Sequence, residues 1–382
     1  MVYPIHLKVM LRYYKKIFMI RYFKLCWLML IIFRFMPGAY SQDVGYSQFY
    51  DQPLLRNTAL AGIFTGDVRL VAAFRNQWQS VTIPYRTFGL SSEIKFPTNI
   101  VPDDNVTIGI QLMRDVAGTS EFSTTQILPA INYSLPLSDV TNSYLSLGIM
   151  GGLMQQRFDP TKLQLDDQFV SGSNGSFTVM PVSGQVFNNT NVNYFDLSVG
   201  VSYNGTFGND IDYYVGTGLF HLTRPRVGFF EGNKITLNKK AAFNVGLSVP
   251  TSETDQIIVY GDYFQQFGDG FKSAGISTLQ AGMMYKHDLV VVDDNRTALT
   301  MGVIYRWDDA IVPAVQLEIS KLIIGVSYDV NISKLVVASQ YRGGLELTLS
   351  FRDFLNSRKK EQRQTRCPRF GGHFPTERYN GY

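Results

Sequence analysis

The sequence predicts an all-β fold, a transmembrane antiparallel up-and-down β-barrel of about 14 strands. Segments of about ten residues alternate apolar and polar side chains along most of the chain, which is typical of membrane strands. Charged residues make up only 17% of the sequence, against roughly 25% in soluble proteins, while aromatic residues reach 14%. After residue 41, no apolar run reaches the roughly 18 residues that a membrane helix needs. Strands are therefore the elements expected to contact lipid.

Residues 1–41 are predicted to be a signal peptide. Basic residues precede an apolar stretch at residues 25–33, and Ala39-Tyr40-Ser41 offers small residues, Ala39 and Ser41, at the positions that signal peptidase reads. An uncleaved membrane anchor is disfavoured, because this apolar stretch spans only about half of a bilayer core. Cleavage leaves Gln42 as the mature N-terminus, and Met19 stays open as an alternative start.

The mature chain is predicted to have three parts. Residues 42–67 are expected to form an N-terminal periplasmic segment, residues 68–352 the outer-membrane β-barrel, and residues 353–382 a basic periplasmic tail. Composition does not change along the barrel part, which indicates a single domain.

Fourteen candidate strands follow one another in the barrel part. They span residues 68–75, 85–96, 105–114, 126–135, 143–156, 193–204, 212–220, 240–250, 256–266, 276–285, 298–307, 310–319, 322–329 and 343–352. An even number is what a closed antiparallel barrel with both termini on the periplasmic side requires.

The connections support this arrangement. Counted from a periplasmic N-terminus, the outer connections include the long segments 157–192, 221–239 and 330–342. Short segments at 251–255 and 320–321 fall on the periplasmic side. Long loops outside and short turns inside are the pattern of outer-membrane barrels.

Two connections depart from the pattern, and one long loop has two interpretations. Residues 307–310 are predicted to make a tight outer turn, and residues 286–297 a long inner connection. The polar segment 157–192 is either a solvated surface loop or a plug or partner-binding lid, because long loops in compact folds tend to be functional.

The tail after the last strand is basic. Six Lys or Arg residues between positions 358 and 369 face a single acidic residue, Glu361. Such a tail is either merely solvated or able to bind peptidoglycan or an acidic protein surface. Cys26 leaves with the signal peptide, so Cys367 is the only cysteine of the mature chain and no internal disulfide is expected.

Several short strings in the sequence resemble the PorP/SprF family. They contain Arg75, Gln77 and Trp78 followed by Tyr85; His221, Arg224 and Pro225; Asp329 and Asn331; Gly343, Gly344 and Glu346; and Cys367, Pro368, Arg369 and Phe370. The start of the mature chain, residues 42–62, is similar to the family's opening as well. The strings occur in order along nearly the whole mature chain.

The resemblance implies a function. PorP/SprF proteins are outer-membrane components of the type IX secretion system, which exports large proteins, including gliding adhesins, across the outer membrane of Bacteroidetes. The resemblance therefore implies a non-enzymatic protein that lies in outer-membrane lipid. Its implied partners are other secretion-system proteins or a secreted surface protein. The sequence gives no reason to expect a cofactor, a metal or nucleic acid, and peptidoglycan is a further possible partner of the tail.

Most of these residues also have simple structural interpretations. Trp78 and Tyr85 flank a strand end, where aromatic rings lie at the level of lipid headgroups. Arg224 and Pro225 end a strand, because proline lacks the N–H that the sheet requires. His221 lies in the predicted loop that follows this strand.

The last two strands contribute a second group. Asp329 and Asn331 suit a turn, since short polar side chains bond the nearby backbone. Gly343 and Gly344 fit a tight start of the final strand, and Glu346 is expected to face the lumen.

Catalysis is not expected. His221, His287 and His373 all lie at predicted loop or tail positions, and no nucleophile elbow, P-loop or zinc spacing occurs. Gly200 and Gly246 within strands are better explained by barrel curvature or close packing. A barrel hydrolase that uses distant Ser and His residues stays open as an alternative.

A passive porin for small solutes is the main alternative function. About 14 strands give a lumen narrower than that of porins with 16 to 18 strands, and side chains or a loop can fill it. Charged residues expected to point inward are few and scattered: Glu93, Lys95, Asp196, Glu318, Glu346 and Arg352. This favours a docking barrel over an open channel.

Overall fold

Most of this chain forms β-strands with alternating apolar and polar side chains, and these strands close into a barrel. The computed structural model describes residues 45–79, 83–98, 100–138, 141–172, 176–208, 211–229, 235–268, 273–292, 295–334, 336–355, 368 and 370. The predicted signal peptide lies outside the described residues, as do Cys367, Arg369 and His373.

The barrel is closed and antiparallel throughout, and it has the 14 strands that the sequence predicts. Its strands are β1 Val68–Gln77, β2 Tyr85–Pro97, β3 Asn105–Ala117, β4 Phe122–Ser138, β5 Ser143–Arg157, β8 Asn191–Phe207, β9 Ile211–Phe220, β10 Lys240–Pro250, β11 Asp255–Gly268, β12 Ser273–Val292, β13 Asn295–Arg306, β14 Ala310–Ile319, β15 Leu322–Asn331 and β16 Arg342–Asp353. Two short strands, β6 Phe169–Ser171 and β7 Phe177–Val179, form a separate hairpin in the loop between β5 and β8. β1 pairs with both β2 and β16, which closes the barrel.

The predicted long connection at residues 286–297 is wrong. β12 and β13 stay paired as far as Val292 and Asn295, so His287 lies in a strand and not in a loop. The polar residues Lys286 and Asp288 interrupt the expected apolar run, but they are buried in the lumen and paired with Glu318 and Arg296. Polar side chains that face the lumen therefore give a strand the same sequence pattern as a loop.

The barrel is apolar outside and polar inside. In β16, Leu345, Leu347 and Leu349 are each more than 40% exposed, whereas the side chains between them are buried. The same inversion runs through the other strands and is the arrangement that a lipid-facing barrel needs. None of the helices among the described residues is long and apolar enough to cross a membrane.

The two ends of the barrel differ. One end, called here the short-turn end, carries the tight connections at residues 251–254 and 320–321. The opposite end, the long-loop end, carries the connections at residues 158–190 and 221–239 and a helix, α2 Val336–Ser339. The turn at residues 307–309 is tight, as the sequence predicts.

The segment before β1 fills the lumen and is called here the plug (residues 45–66). It contains two 3-10 helices, Phe49–Asp51 and Thr58–Leu60, with α1 Pro53–Arg56 between them. Nearly all of its residues are buried, and it hydrogen-bonds to strands on every side of the barrel, from β1 and β2 through β8 and β11 to β16. Only a segment inside the lumen can make these contacts.

The prediction of a periplasmic segment at residues 42–67 is therefore wrong for the described residues 45–66. Gly45 lies near the end of β1 at the long-loop end, where its carbonyl accepts a hydrogen bond from Arg75. The plug then runs along the lumen to Asp67, whose N–H donates a hydrogen bond to Asp353 O at the short-turn end. The segment has no strand periodicity because the barrel wall surrounds it on all sides.

Candidate functional site

The contact between plug and barrel wall is the candidate functional site, and its first part lies at the long-loop end. Arg75 and Arg306 both donate to Asp329 Oδ2, at 2.7 and 2.8 Å. Arg306 also donates to the hydroxyl of Ser47 over 2.9 Å, and this hydroxyl donates in turn to Asp329. Charges buried in this way are stable only when they are paired and hydrogen-bonded. The charge cluster of the wall therefore holds this end of the plug through hydrogen bonds to the Ser47 hydroxyl.

Glu346 anchors the start of the plug. The backbone N–H groups of Ser47 and Gln48 donate to its two carboxylate oxygens over 2.6 and 2.7 Å. Arg75 Nε lies 3.9 Å from the same carboxylate. Two consecutive N–H groups that converge on one carboxylate form a small anion-binding nest, here turned toward the barrel wall.

The sequence strings converge at this cluster. Arg75, Asp329 and Glu346 come from three different strings, and Ser47 comes from the predicted start of the mature chain. A Cβ at Gly343 would lie 2.2 Å from Asp329 O, so β16 can pass β15 closely here only without a side chain. The lumen position predicted for Glu346 is confirmed by its complete burial.

The middle of the plug is held by an ion pair that the sequence did not reveal. Arg56 donates to both oxygens of Asp262, each over 2.7 Å, and to the hydroxyl of Tyr214. Asn244 and Gln280 donate to the same Asp262 carboxylate. A bidentate arginine–carboxylate pair fixes orientation as well as position.

Glycines in the wall make room for the plug backbone. A Cβ at Gly148 would lie 2.5 Å from the carbonyl of Thr58, and one at Gly200 would lie 1.9 Å from Asn57 Oδ1. Cβ atoms do not approach other heavy atoms so closely, which explains glycine within β5 and β8. The close-packing interpretation of Gly200 is confirmed. Gly246 likewise leaves room for the Tyr214 ring.

The part of the plug nearest the short-turn end contacts β1 and β2. Glu93 accepts from the Gly62 N–H over 2.9 Å and makes a bidentate pair with Arg69. Lys95 donates to the Phe64 carbonyl over 2.8 Å, and its ammonium lies 4.7 Å from the ring centroid of Phe64. Acidic and basic side chains of the wall thus bind the plug backbone directly.

Two residues of the tail also reach this region. Phe370 packs against Tyr214 and Tyr260, with ring centroids 4.7 and 5.6 Å apart. The carbonyl of Pro368 accepts from Lys95 Nζ over 3.3 Å, and Pro368 is buried. Of the predicted tail string, these two residues therefore lie in the lumen and not in a tail outside the barrel.

The remaining predicted residues lie at the long-loop end, away from the plug. Trp78 and Tyr85 contact each other, with ring centroids 5.2 Å apart. His221 is buried against Asp196, with 2.7 Å between Nδ1 and Oδ2. The structure does not bring these pairs into the cluster around Glu346.

Arg224, Pro225 and Asn331 have local roles. Pro225 O accepts from the Leu237 N–H over 2.9 Å, which ties the two sides of the loop after β9 together. Arg224 has a positive φ of 46° where the chain turns after β9. Asn331 Nδ2 donates to Ser339 Oγ over 2.9 Å and so connects the end of β15 to α2. Gln77 and Gly344 pair directly across β1 and β16.

The loop between β5 and β8 is not the plug. The described parts of residues 158–190 lie outside the barrel, and most of their side chains are exposed. The carboxylate of Asp167 holds the loop by accepting from the Ser183 hydroxyl and the Gly184 N–H. The hydrogen bond from Ser183 lowers the pKa of Asp167 below its usual value.

Among the described residues, no group of three or more His, Cys, Asp or Glu side chains is arranged to hold a metal ion.

A comparison with protein families decides what this plugged barrel is. The model of the family described as "Type IX secretion system membrane protein PorP/SprF" matches residues 38–351. The chain belongs to the PorP/SprF family. The resemblance in the sequence strings is thereby confirmed, and the matched PorP/SprF region includes both the plug and nearly the whole barrel.

Several solved outer-membrane barrels are distantly similar to this PorP/SprF protein. The toluene transporter TbuX of Ralstonia pickettii is 8% identical over 78% of this chain and 92% of that chain, with a TM-score of 0.46. A FadL homologue of Pseudomonas aeruginosa is 9% identical over 77% of this chain and 98% of that chain, with a TM-score of 0.40. The translocator domain of the autotransporter NalP of Neisseria meningitidis is 10% identical over 75% of this chain and 88% of that chain, with a TM-score of 0.37. No curated protein gives a significant match.

Proposed function

We propose that this protein is a non-enzymatic outer-membrane component of the type IX secretion system, whose barrel binds secretion partners or one surface-exported protein of the gliding-adhesin type. Membership of the PorP/SprF family supports the assignment to this secretion system. The plug is the structural observation that carries the choice between a docking barrel and a channel.

A plugged lumen does not suit passive diffusion. Porins with 16 to 18 strands keep an aqueous channel, whereas smaller barrels are filled by side chains or ligands. Here the plug occupies the lumen from Gly45 near one end to Gly66 near the other. The buried ion pair between Arg56 and Asp262 and backbone hydrogen bonds to Glu346 and Glu93 fix it at several levels. Charged side chains of the lumen thus bind the plug and do not line an open channel. The barrel then serves as a rigid support.

The two barrel ends suggest an orientation. Outer-membrane barrels have short turns on the periplasmic side and long loops outside. The short-turn end, with the last residue of β16, Asp353, would then face the periplasm, and the long-loop end would face the surroundings of the cell. Partners on the two sides would meet different surfaces, the tail on one side and the long loops on the other.

The long loop between β5 and β8 is the proposed contact for an external partner. It exposes apolar side chains beyond the barrel, among them Val182 at 78% and Val186 at 80%. Contiguous exposed apolar patches mark protein contacts, and we propose that these side chains of the loop form one. The basic residues of the tail are the proposed contact for periplasmic secretion proteins or peptidoglycan.

Deletion of the gene tests this function. We expect one or more large exported proteins to disappear from the surface proteome while uptake of small solutes stays normal, and complementation with the wild-type gene should restore them. A defect in solute uptake with normal export would contradict the proposal and indicate a porin. A second complementing gene, truncated after Phe354, tests the tail. We expect it to support barrel assembly but weaker export, because lost rim charges mainly slow association.

A further inference from the structure

An aromatic side chain from the far end of the sequence lies inside the lumen at the short-turn end. The Phe370 ring meets Tyr214 edge-on at an interplanar angle of 72° and is tilted against Tyr260. Leu60 and Ile63 of the plug form the apolar side of the same cluster. Edge-to-face aromatic contacts of this kind are favourable beyond their buried area.

The segment that carries Phe370 is also held through its backbone, at the carbonyl of Pro368. Lys95 Nζ donates to Pro368 O over 3.3 Å, and a main-chain carbonyl is present in any peptide. The two described residues of the segment thus contact the lumen through one aromatic ring and one backbone carbonyl. Recognition through backbone groups and single side-chain pockets is how many proteins bind extended peptides.

A cavity of about 80 Å³ adjoins the Phe370 ring and is large enough for several water molecules. Two of the groups that line it, the Tyr50 hydroxyl and Arg352 Nε, have no hydrogen-bond partner among the described residues. Tyr50 is buried and stacked on Tyr260, with ring centroids 5.0 Å apart. Unpaired buried polar groups are costly, so a water molecule or a polar ligand group beside these two atoms is favourable.

We infer that this space is a binding site for an extended peptide whose aromatic side chain has a polar tip, as in tyrosine. The segment at Pro368 and Phe370 fills the apolar part of the site, and an external peptide of this kind takes its place. Phe370 is only partly buried, which suits a ligand that can leave. The site opens toward the short-turn end, where Glu318 and Arg352 lie one residue from the ends of their strands.

The chain's own segment competes strongly because it is tethered. A linked ligand has an effective concentration in the millimolar range, so an external peptide binds weakly to the wild-type protein. Phe370→Ala removes the ring and leaves the site open. The inference goes beyond the secretion role, and a binding assay on purified protein can fail while the secretion phenotype stands.

The test uses the full-length protein in detergent and a fluorescent peptide with the sequence of residues 365–373, in which Cys367 is replaced by Ser. We expect the F370A protein to bind this peptide at least tenfold more tightly than wild type does. Leu355→Ala, which removes an exposed apolar side chain from the start of the tail, is the matched control and should behave as wild type. Within the peptide, Tyr in place of Phe should tighten binding several-fold, and Ala should abolish it.

Two results would overturn the inference: no binding to F370A protein that keeps its heat-modifiable gel mobility, or equal binding of the Tyr, Phe and Ala peptides. A second measurement does not depend on an emptied site. Benzoylphenylalanine at position 370 should cross-link to Tyr214 or Tyr260, and an excess of the Tyr peptide should reduce this cross-link. A cross-link that excess peptide leaves unchanged would show that the segment is a fixed part of the plug.

Discussion

The backbone N–H of Ser47 donates to Glu346 Oε2 over 2.6 Å, which joins the start of the plug to the last strand of the barrel across 299 positions of sequence. The neighbouring N–H of Gln48 donates to the other oxygen of the same carboxylate. In the closed barrel, pairing of β16 with β1 holds Glu346 at this place. The contact therefore connects closure of the barrel with seating of the plug.

Glu346→Ala should loosen the plug. The change leaves two buried backbone N–H groups without their acceptor, while Arg75 keeps Asp329, and each buried donor left unsatisfied costs about 1–3 kcal/mol. We expect the variant to unfold at a lower temperature in a heat-modifiability gel and to become sensitive to proteases within residues 45–66. Glu253→Gln, an exposed position in a short turn, is the control and should match wild type. Equal unfolding temperatures for E346A and wild type would contradict the anchor role.

Gly148→Ala should displace the plug while the barrel still closes. Its new methyl group would lie 2.5 Å from backbone atoms of Thr58, and overpacking of this kind costs about 1–3 kcal/mol. Lower heat stability and greater protease sensitivity of the plug are the expected results. Gly184→Ala in the long loop is the matched control, because the nearest atom to its methyl group lies at an ordinary 3.6 Å. If both variants behaved alike, the close approach at Gly148 would not hold the plug.

The sequence predicts the barrel well because each strand carries its own signal. A lipid-facing strand such as β16 alternates strictly, so its position follows from local residues alone. The prediction failed in β12, where Lys286 and Asp288 form ion pairs with other strands that cannot be seen locally.

The plug and most of its contacts could not be predicted in the same way. A segment enclosed by the barrel has no solvent face, so residues 45–66 show neither strand nor helix periodicity. Arg56 and Asp262 are 206 positions apart and only the closed fold brings them together. Arg75, Asp329 and Glu346 were found because the family strings contain them, although their shared role at Ser47 appears only in the structure.

Labelling of single cysteines tests the orientation. In a Cys367→Ser background, Gly45→Cys places a thiol at the long-loop end, where the position is exposed and a Cβ meets no atom within 4 Å. Glu253→Cys places one in an exposed turn at the short-turn end. We expect a membrane-impermeant maleimide to label G45C in intact cells and to label E253C only after the outer membrane is opened. The reverse pattern would show that the long-loop end faces the periplasm.

The fold of the loop between β5 and β8 should depend on pH through Asp167. Its pKa is lowered because the carboxylate accepts a hydrogen bond from Ser183, so this stabilisation is present above the usual aspartate pKa and is lost as the pH falls through the lowered value. Protease cleavage within the loop should therefore stay slow at neutral pH and rise only when the pH falls below the usual aspartate pKa. Asp167→Asn should be cleaved faster already at pH 7. A variant cleaved at the wild-type rate across this range would show that the bond does not order the loop.

Conductance in planar lipid bilayers tests the central claim, that the lumen is closed by the plug and serves no passive diffusion. Purified wild-type protein should insert without producing steady channel currents, because the plug is fixed along the lumen. Glu346 and Glu93 accept hydrogen bonds from its backbone, and Arg56 of the plug forms an ion pair with Asp262. The E346A protein, measured in the same way, should show intermittent openings as the plug loosens. A stable, porin-sized conductance from the wild-type protein would contradict the account.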